Sequence, residues 1–489
     1  MIYSMIFTNV FKKFWLAMGV FVLFIQMNLY AYAEDGKWKD IQSRGVLNVG
    51  LSADYAPYEF EVNKDQHRDY AGIDIEIAKK IAQDHHLELK IHNMSFESLL
   101  GALKTGKIDM IISGMTPTPE RKKVVDFSNP YMETKQSIVV RKADKSKFKS
   151  LADFDGHPIG AQKQTEQEKA AQTYMPKSNV HALSRLPEVL LGLSSGNVDA
   201  VIIEKPVAEA YLYQNDKLDF SSVELPEGVK DTAIALPKHA PELLKRVNAS
   251  IKNIKDNDLI KTYKATAAEA MSSDESFIQR YGGFFVSGLK YTLLISVVGV
   301  VLGSILGGFV AWMKLHKWKV LRWPAMLYIA FLRGTPLLVQ VFIVFFGTTA
   351  FLGFNISALI CGIIAIVVNA SAYIAEIMRA GINAVDKGQK EAALSLGLSH
   401  VQTMFYVILP QALKRILPAL GNEFVTLIKE SSIVSVIGVG ELMFNTQVVQ
   451  GASFDPFTPL LIAATGYFVL TLLLSTGMKY IERRWMLHD

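Results

Sequence analysis

Charged and hydrophobic positions are distributed differently in the two halves of this chain of 489 residues. From about residue 36 to about residue 273 charges are dense and apolar positions come in short runs, whereas long charge-free runs follow from residue 291. Short apolar runs broken by polar residues are typical of a globular domain in water, and uncharged runs of about 20 residues are typical of membrane-spanning helices. The pattern predicts two successive domains of these two kinds.

The first half alternates between β-like runs and amphipathic helical segments. The predicted strands lie at residues 47–50, 110–112, 137–141, 200–203 and 233–235, and the predicted helices at 73–83, 96–104 and 187–193. Such alternation predicts an α/β fold with open sheets, and a length of about 230 residues suits two lobes of roughly 100 residues each. Residues 134–140 and 230–237 are the predicted crossings between the lobes. A ligand of such a fold is expected at the carboxyl ends of the strands.

The second half contains enough uncharged sequence for five membrane spans. We predict spans at residues 291–313, 416–439 and 459–478, and two more within 334–375 that are joined by a turn at Gly353-Phe354-Asn355. Lysines and arginines follow the first span, the third span and the last span, and the positive-inside rule makes these segments cytoplasmic. The pattern predicts an all-α domain with an external polar loop at 441–455 and a cytoplasmic C-terminus.

A further apolar run lies near the N-terminus. Lys12 and Lys13 precede apolar residues 14–30, and Ala31-Tyr32-Ala33 offers a small-x-small cleavage site. This layout predicts that residues 1–33 form a signal peptide, with an uncleaved membrane anchor as the alternative. Both interpretations predict that the residues after Ala33 are exported.

Composition excludes several other classes of protein. The net charge of +5 is modest and the basic residues are spread over loops, so nucleic-acid binding is not indicated. Cys361 is the single cysteine, so an intramolecular disulfide is impossible. The sequence contains no Gly-x-x-x-x-Gly-Lys-Ser/Thr loop, and we predict that this chain neither hydrolyses ATP through such a loop nor holds a cofactor or metal.

The segment at residues 113–121, Ser-Gly-Met-Thr-Pro-Thr-Pro-Glu-Arg, follows a predicted strand and is therefore expected at the cleft between the lobes. A loop that contains glycine can offer backbone N–H donors, and Thr116 adds a hydroxyl. The planar guanidinium of Arg121 can bind a carboxylate through two parallel hydrogen bonds. The alternative is an ordinary turn with a solvated arginine.

Motifs around this loop resemble the amino-acid-binding family of bacterial solute-binding proteins. The motifs are residues 55–60 (Tyr-Ala-Pro-Tyr-Glu-Phe), 106–109, 126–131 and 197–201. The resemblance implies a two-lobed, type II periplasmic-binding-protein-like domain over residues 36–265 that binds a free amino acid outside the cell.

The same resemblance implies which residues contact the ligand from the two lobes: Tyr55, Phe96, Ser113, Gly114, Thr116, Arg121, Thr165, Gln167 and Glu204. Arg121 and its loop would hold the α-carboxylate, and Glu204 would pair with the α-ammonium. Tyr55 and Phe96 would form apolar walls, with ordinary core packing as the alternative.

Two parts of this implied site are less closely matched. Gln164 and Glu166 depart from the Gly-Thr-Thr pattern that the family often has beside Thr165. Asp54 or Glu59 could meet a cationic end of the ligand, although an exposed loop acid and a structural acid are the alternatives. We expect a polar amino acid, with arginine, lysine and glutamine left open.

A polar island at residues 391–410 separates two hydrophobic segments of the second half. It predicts a short helix, a turn at Gly397 and a second helix that Pro410 closes, and Ala392 with Ala393 would form a flat surface for close docking. The spacing resembles the EAA coupling loop of ATP-binding-cassette (ABC) importer permeases, with Val407 in place of the usual isoleucine. Residues 333–340 and 371–377 also resemble polar-amino-acid permeases of type I importers.

The resemblance implies a complete architecture and set of partners. A linker at 266–283 would join the binding domain to a permease domain at 284–489, and Glu391, Ala392, Ala393 and Gly397 would contact a separate ATPase subunit that uses ATP. Five spans would require a second permease chain, in a homodimer or, alternatively, a heterodimer. The implied location is a bacterial plasma membrane.

Two other classes of function are weighed against the importer. A ligand-gated channel can join the same binding fold to membrane helices, but it should carry a re-entrant filter and no coupling loop. An enzyme on the same fold needs a catalytic group in the cleft, for which only His67 or His157 could be argued. The charged residues Glu376, Lys429 and Glu430 lie in or near spans, where they could line the transport path or form structural pairs.

Overall fold

The computed structural model of the chain describes residues 36–64, 67–226, 228–271, 276–353 and 356–486. The predicted signal peptide at residues 1–33 and the Phe354-Asn355 part of the predicted turn lie outside the described residues. The described residues confirm the predicted fold class, an α/β two-lobed domain followed by an all-helical domain.

Two five-stranded sheets form the two lobes of the first half. The first sheet has the strand order β5-β1-β6-β15-β7 and the second the order β11-β10-β12-β9-β13. The strands are β1 (Val46–Leu51), β2 (Asp54–Tyr55), β3 (Glu59–Lys64), β4 (His67–Ala71), β5 (Glu88–Asn93), β6 (Met110–Ile111), β7 (Asp126–Phe127), β8 (Met132–Thr134), β9 (Gln136–Arg141), β10 (Pro158–Gln162), β11 (Asn179–Leu183), β12 (Ala200–Glu204), β13 (Leu218–Phe220), β14 (Lys230–Thr232) and β15 (Ala235–Leu236).

Helices cover both faces of these sheets. They are α1 (Gly36–Arg44), α2 (Ile73–Asp84), α3 (Phe96–Lys104), α4 (Pro119–Val124), α5 (Glu166–Tyr174), α6 (Leu186–Ser195), α7 (Lys205–Gln214), α8 (Pro241–Asp256) and α9 (Leu259–Met271). Strand β1 is parallel to β5 on one side and to β6 on the other. Its side chains are buried on both faces, which explains its nearly continuous apolar sequence.

The predicted crossings between the lobes are confirmed. Strands β8 and β14 pair antiparallel, with Thr134 opposite Lys230 and Met132 opposite Thr232. After β8 the chain enters the second sheet through β9, and after β14 it returns to the first sheet through β15. The two adjacent crossings form the hinge side of the cleft.

The second half is helical. Its elements are α10 (Phe277–Leu315), α11 (Lys319–Gly334), α12 (Leu337–Leu352), α13 (Ala358–Asn383), α14 (Lys387–Ser395), α15 (His400–Gln402), a π-helical turn (Thr403–Ile408), α16 (Leu409–Glu430), a 3₁₀ turn (Ser431–Ile437), α17 (Leu442–Ser453) and α18 (Thr458–Met486). Among the described residues, α10, α13 and α18 are long and apolar enough to span a bilayer alone. The number is five if each of two bent pairs counts as one span.

Glycines let helices α10 and α13 approach closely. A Cβ on Gly303 would lie 3.2 Å from the Cβ of Ala370, and a Cβ on Gly307 would lie 2.8 Å from the carbonyl oxygen of Ser371. A larger residue at either position would therefore force the two helices apart.

Two predictions about the membrane spans are corrected. The first span begins well before residue 291, because α10 starts at Phe277. The next span is a pair of helices, α11 and α12, that meets at an angle of 107° around Thr335-Pro336. Proline disfavours a helical conformation in the residue before it, which explains the break.

The predicted external loop at 441–455 is a buried helix, α17. Glu441 caps it by accepting hydrogen bonds from the backbone N–H groups of Met443 and Phe444, at 2.9 and 2.7 Å. The polar residues that suggested a loop are satisfied inside the protein. Asn445 donates to the carbonyl of Phe284 at 2.7 Å, and Gln450 donates to that of Pro456 at 2.6 Å.

Pro410 does not close the second helix of the polar island, as the sequence suggested. The helix that begins at His400 continues through the π-helical turn into α16, where Pro410 occupies the first turn. Proline removes one backbone donor, and a wider turn immediately before it accommodates the ring without ending the helix.

Candidate functional site

A narrow cleft lies between the two lobes. It is lined by Ser52, Asp54, Tyr55, Phe96, Ser113, Gly114, Thr116, Arg121, Gln162, Thr165, Glu166, Gln167 and Glu204. The structure thus brings together all nine residues for which the sequence predicts ligand contact. Several of them lie at the carboxyl ends of β1, β6, β10 and β12, where ligands of open α/β sheets bind.

Arg121 is held rigidly in the cleft by both lobes. It lies in α4, where Thr118 caps the helix and accepts a hydrogen bond from the Arg121 N–H at 3.2 Å. Its Nη1 donates to the carbonyl of Thr116 and its Nη2 to that of Gln164 in the second lobe, both at 2.9 Å. The ring of Phe96 lies 5.3 Å from the guanidinium carbon. This fixed, buried cation can bind a carboxylate in the cleft.

The Ser113-Gly114 loop is fixed from behind by two buried carboxyl groups. The hydroxyl of Ser113 donates to Glu59 Oε1 at 2.5 Å, and the N–H of Gly114 donates to Asp74 Oδ2 at 2.8 Å. Burial raises the pKa of Glu59 well above its usual value and that of Asp74 to about 6. The expected Gly114 donor therefore does not face the cleft, and Glu59 supports this loop from outside the cleft lining.

Glu204 is the acidic group of the cleft floor. It ends β12 and is fully buried. Burial raises its pKa to about 8, although Tyr58, Gln167 and Arg121 lower it in part. A carboxyl group in this state is neutral at pH 7 when the cleft is empty, and an ammonium group placed beside it would favour its ionised form.

The start of α5 forms the second-lobe side of the cleft. Thr165 caps this helix, and its hydroxyl donates to the carbonyl of Gln162 at 2.5 Å and accepts from the N–H of Glu168 at 3.4 Å. Gln164 has a φ of 61°, a left-handed conformation that suits the glycine often found there in the resembling family. Gln167 reaches across the cleft and donates to the hydroxyl of Tyr55 at 3.4 Å.

An ion pair joins the two lobes at the edge of the cleft. Asp54, beside β1 in the first lobe, accepts a hydrogen bond at 3.1 Å from Nη1 of Arg185, which precedes α6 in the second lobe. The exposed side-chain fractions are 0% and 3%. Asp54 also accepts from the hydroxyl of Ser52 at 2.8 Å, so it is a buried, fixed acid rather than an exposed loop acid.

Three lining residues have no counterpart in the predicted site. Ser52 follows the carboxyl end of β1, Gln162 ends β10, and Glu166 begins α5. Ser52 could have been found from the strand-end rule, since strand β1 was predicted at 47–50, whereas β10 was not predicted and the rule could not have found Gln162. Glu166 was noticed only as a departure from a family pattern.

Of the two histidines considered for an enzyme, the structure places the side chain of His157. His157 bonds Asp199 through Nδ1 at 2.8 Å and packs edge-on against Phe148, and it does not line the cleft. The side chain of His67 lies outside the described residues.

The polar island of the membrane half presents an exposed surface. Glu391, Ala392 and Gly397 are exposed, whereas Ala393 is buried against the protein, so the predicted flat surface contains only one of the two alanines. Gly397 makes the turn with a φ of 84°. Leu396 beside it is 83% exposed.

Glu376 forms a structural cluster toward the C-terminal ends of α10 and α13. It bonds Lys314 and accepts from Arg379 Nη2 at 2.9 Å. Of the two roles considered for Glu376, the structure therefore shows a structural pair.

Two family models cover most of the described chain. Residues 47–267 match the bacterial extracellular solute-binding proteins of family 3, and residues 283–487 match the inner membrane component of binding-protein-dependent transport systems.

Individual proteins resemble each half. An arginine transport system permease protein of Bacillus subtilis is 43% identical over 206 residues, which are 42% of this chain and 94% of that protein. A putative glutamine transport system permease protein of Rickettsia felis is 42% identical over 205 residues, with the same coverage of 42% and 94%. An amino acid ABC transporter substrate-binding protein from Streptococcus pneumoniae, solved with L-arginine bound, is 37% identical and covers 48% of this chain and 98% of its own, with a TM-score of 0.46.

The permease relatives are matched over nearly their whole length, and a family 3 solute-binding segment precedes that match in the same chain. The chain therefore belongs to the inner membrane components of binding-protein-dependent transport systems, as the fused binding protein and permease of an amino acid ABC transporter.

Proposed function

We propose that this chain captures a cationic amino acid, with arginine as the first candidate, and passes it to its own membrane half. The observation that carries the proposal is the charge of the cleft lining, which contains the three carboxyl groups of Asp54, Glu166 and Glu204 and the single guanidinium of Arg121. A zwitterionic backbone needs one cation and one anion. Two acids then remain for a positively charged side chain.

Each ligand group has a proposed partner in the cleft. Arg121, with the hydroxyl of Thr116, binds the α-carboxylate, and Glu204 binds the α-ammonium. Tyr55 and Phe96 flank the aliphatic part of the side chain. Asp54 and Glu166 face the guanidinium, although Asp54 already bonds Arg185, and Lys230 lies 3.8 Å from Glu166. The similarity to an arginine transport system permease supports the same substrate.

Glutamine is the second candidate. The amide side chains of Gln162 and Gln167 line the cleft and could pair with a ligand carboxamide. The similarity to putative glutamine transport system permeases supports glutamine as strongly as the similarity to the arginine permease supports arginine.

The proposal also includes partners and sidedness. The binding domain lies outside a bacterial plasma membrane, and the exposed surface around Glu391, Ala392 and Gly397 contacts a cytoplasmic ATPase subunit, which alone uses ATP. Two copies of the permease half pair about a two-fold axis to complete the path. Ligand shifts the two-lobed domain toward its closed form, and ATPase closure then drives alternating access.

Calorimetric titration of the full chain in lipid nanodiscs with each of the twenty amino acids tests the substrate. We expect saturable binding of arginine and much weaker binding of citrulline, which has the same shape without the positive charge. Agmatine, which lacks the α-carboxylate, should not bind, because Arg121 would be left without its partner. Equal affinity for citrulline and arginine would contradict the cationic assignment, and preferential binding of glutamine would replace arginine by the second candidate.

A further inference from the structure

Helix α17 of the membrane half touches both lobes of the binding half. Gly451 packs directly on the first lobe, since a Cβ there would lie 2.8 Å from the Cα of Asp54. The ring of Phe444 lies 5.8 Å from the guanidinium carbon of Arg185 in the second lobe. Phe454, just after the helix, meets the ring of Tyr211 edge-on at a centroid distance of 4.7 Å. One helix thus contacts the two lobes at once.

The interlobe pair Asp54–Arg185 lies directly under this helix. Gly451 lies over Asp54, and Phe444 lies over Arg185. The side chains of Asp54 and Arg185 are almost completely buried. Arg185 Nη2 has no hydrogen-bond partner among the described residues, and the ring of Phe444 lies beside the guanidinium that carries it. The guanidinium is held there by its single bond to Asp54 and by the aromatic ring.

The first lobe has further contacts with the membrane half that do not involve the second lobe. Lys107 Nζ donates to the carbonyl of Ile356 at 2.7 Å and lies 4.8 Å from the ring centre of Phe345. A Cβ on Gly438 would lie 2.0 Å from the carbonyl oxygen of Asn93, so the backbones touch there. These contacts can persist when the cleft opens.

We propose that Asp54, Arg185, Phe444 and Gly451 form a closure contact, through which helix α17 binds the second lobe only when the cleft is closed. The first lobe stays on the membrane half throughout, and opening of the cleft breaks the ion pair and removes the second lobe from the helix. Arg185 is a positioning residue, because it acts on lobe geometry and does not line the cleft. The inference deepens the proposed function and rests on it for the nature of the ligand.

The physical reason is the cost of an unpaired buried charge. When the lobes separate, Arg185 loses Asp54 and would remain as a desolvated cation against Phe444 unless it moved into water. Movement into water requires the second lobe to leave the helix. Formation of the ion pair and burial under the helix therefore favour each other, and both depend on lobe closure.

Distance measurements between nitroxide labels on the full chain in nanodiscs test this contact. With Cys361 replaced by serine, one label pair joins the second lobe to the membrane half, at Tyr213→Cys and Phe457→Cys, and a second pair joins the first lobe to it, at Glu88→Cys and Phe457→Cys. All three labelled positions are exposed. With saturating arginine, both pairs should give a single narrow distance distribution.

Two substitutions in the closure contact should change only the second-lobe distance. We expect Arg185→Gln and Phe444→Leu to broaden that distribution in saturating arginine while the first-lobe distribution stays narrow, which also shows that the variants are folded. Arginine affinity should fall only about tenfold, because Arg121 and Glu204 are intact and only closure is weakened. Arg246→Gln is the matched control, since this arginine also lies over an aromatic ring, Trp38 at 4.4 Å, away from the membrane half.

The outcomes separate this inference from the proposed function. A narrow second-lobe distribution in both Arg185→Gln and Phe444→Leu would show that the closure contact does not control docking. Broadening of both distributions together would equally contradict it, since the first lobe is expected to stay in place. If no amino acid binds the wild-type chain but Arg185→Gln still releases only the second lobe, the substrate proposal fails and the closure contact stands.

Discussion

The cleft and the polar island at residues 391–410 differ in how they are built. The cleft assembles side chains from both lobes that are far apart in sequence, and its charged groups Arg121 and Glu204 are buried. The polar island is one continuous segment with several apolar side chains that face outward, among them Leu396 at 83% and Tyr406 at 75% exposed. Large exposed apolar residues next to a glycine turn are typical of a surface that another protein covers.

The two sites therefore differ in what completes them. In the cleft, the partners that orient the charged groups are supplied by the chain itself, so a small ligand is enough to complete the site. At the polar island the chain supplies a turn and an apolar side chain, and in the proposed function the complementary surface belongs to a separate ATPase subunit. Substitutions should therefore separate ligand capture from coupling.

The largest expected effect is loss of ligand capture in Arg121→Ala. Removal of a buried guanidinium that pairs with a carboxylate costs about 3 kcal/mol or more, so amino acid binding should weaken by at least about 100-fold. Calorimetric titration of the full chain measures this. Arg246→Ala, which removes an arginine remote from the cleft, should bind normally, and an Arg121→Ala chain with wild-type affinity would refute the assignment of the carboxylate site.

Leu396→Asp should have the opposite effect and impair transport without changing amino acid binding. A charge in the centre of an apolar interface typically costs about 2 kcal/mol or more, so ATP-driven uptake into proteoliposomes should fall more than about tenfold while amino acid binding is unchanged. The matched control is Tyr213→Asp, which places the same charge at an 88% exposed position of the binding domain. Normal uptake by Leu396→Asp would show that Leu396 does not contribute to the ATPase contact.

A smaller effect with a distinct pH signature is expected from Glu204. Its pKa of about 8 in the empty cleft means that the group must release a proton to pair with an ammonium. Affinity should therefore rise with pH up to about 8 and fall by up to about tenfold per pH unit below it. Glu204→Gln should bind about tenfold more weakly at pH 8 and should lose this dependence.

The raised pKa of Glu204 also determines the direction in which the stability of the unliganded chain changes with pH. The native carboxyl group binds its proton more tightly than an unfolded one with the usual value of 4.5, so its contribution to the unliganded chain is present at low pH and is lost as pH rises toward 8. Thermal unfolding tests this. The melting temperature of the wild type should fall relative to that of Glu204→Gln as pH rises toward 8. Identical pH profiles of the two chains would show that Glu204 titrates normally.

The smallest expected effect belongs to Phe96→Leu. The ring lies 5.3 Å from the guanidinium carbon of Arg121, and such contacts contribute about 0.5–1 kcal/mol, so affinity should fall about two- to fivefold without loss of selectivity. Titration with arginine and glutamine measures both quantities. A change in selectivity would instead make Phe96 a specificity residue.

Much of the architecture could be predicted from the amino-acid order alone. The alternation of short apolar runs determined the two-lobed α/β domain, and uncharged runs determined the membrane domain. Ser113 and Glu204 lie at the cleft because strand ends in such sheets meet at one edge, and the other seven implied ligand residues line the same cleft. The helix at 441–455 was missed, because its polar residues Asn445 and Gln450 find partners that only packing reveals.

The tertiary structure alone decided which groups face each other and how they are charged. Asp54 and Arg185 are 131 positions apart, and Gly114 donates its N–H to Asp74, 40 positions away, so neither partner could be inferred from local pattern. The raised pKa of Glu204 depends on how completely the lobes exclude water. The hydrophobic period and the residue types are present in the sequence itself. Burial and pairing depend instead on distances in space, which are defined only once the chain has folded.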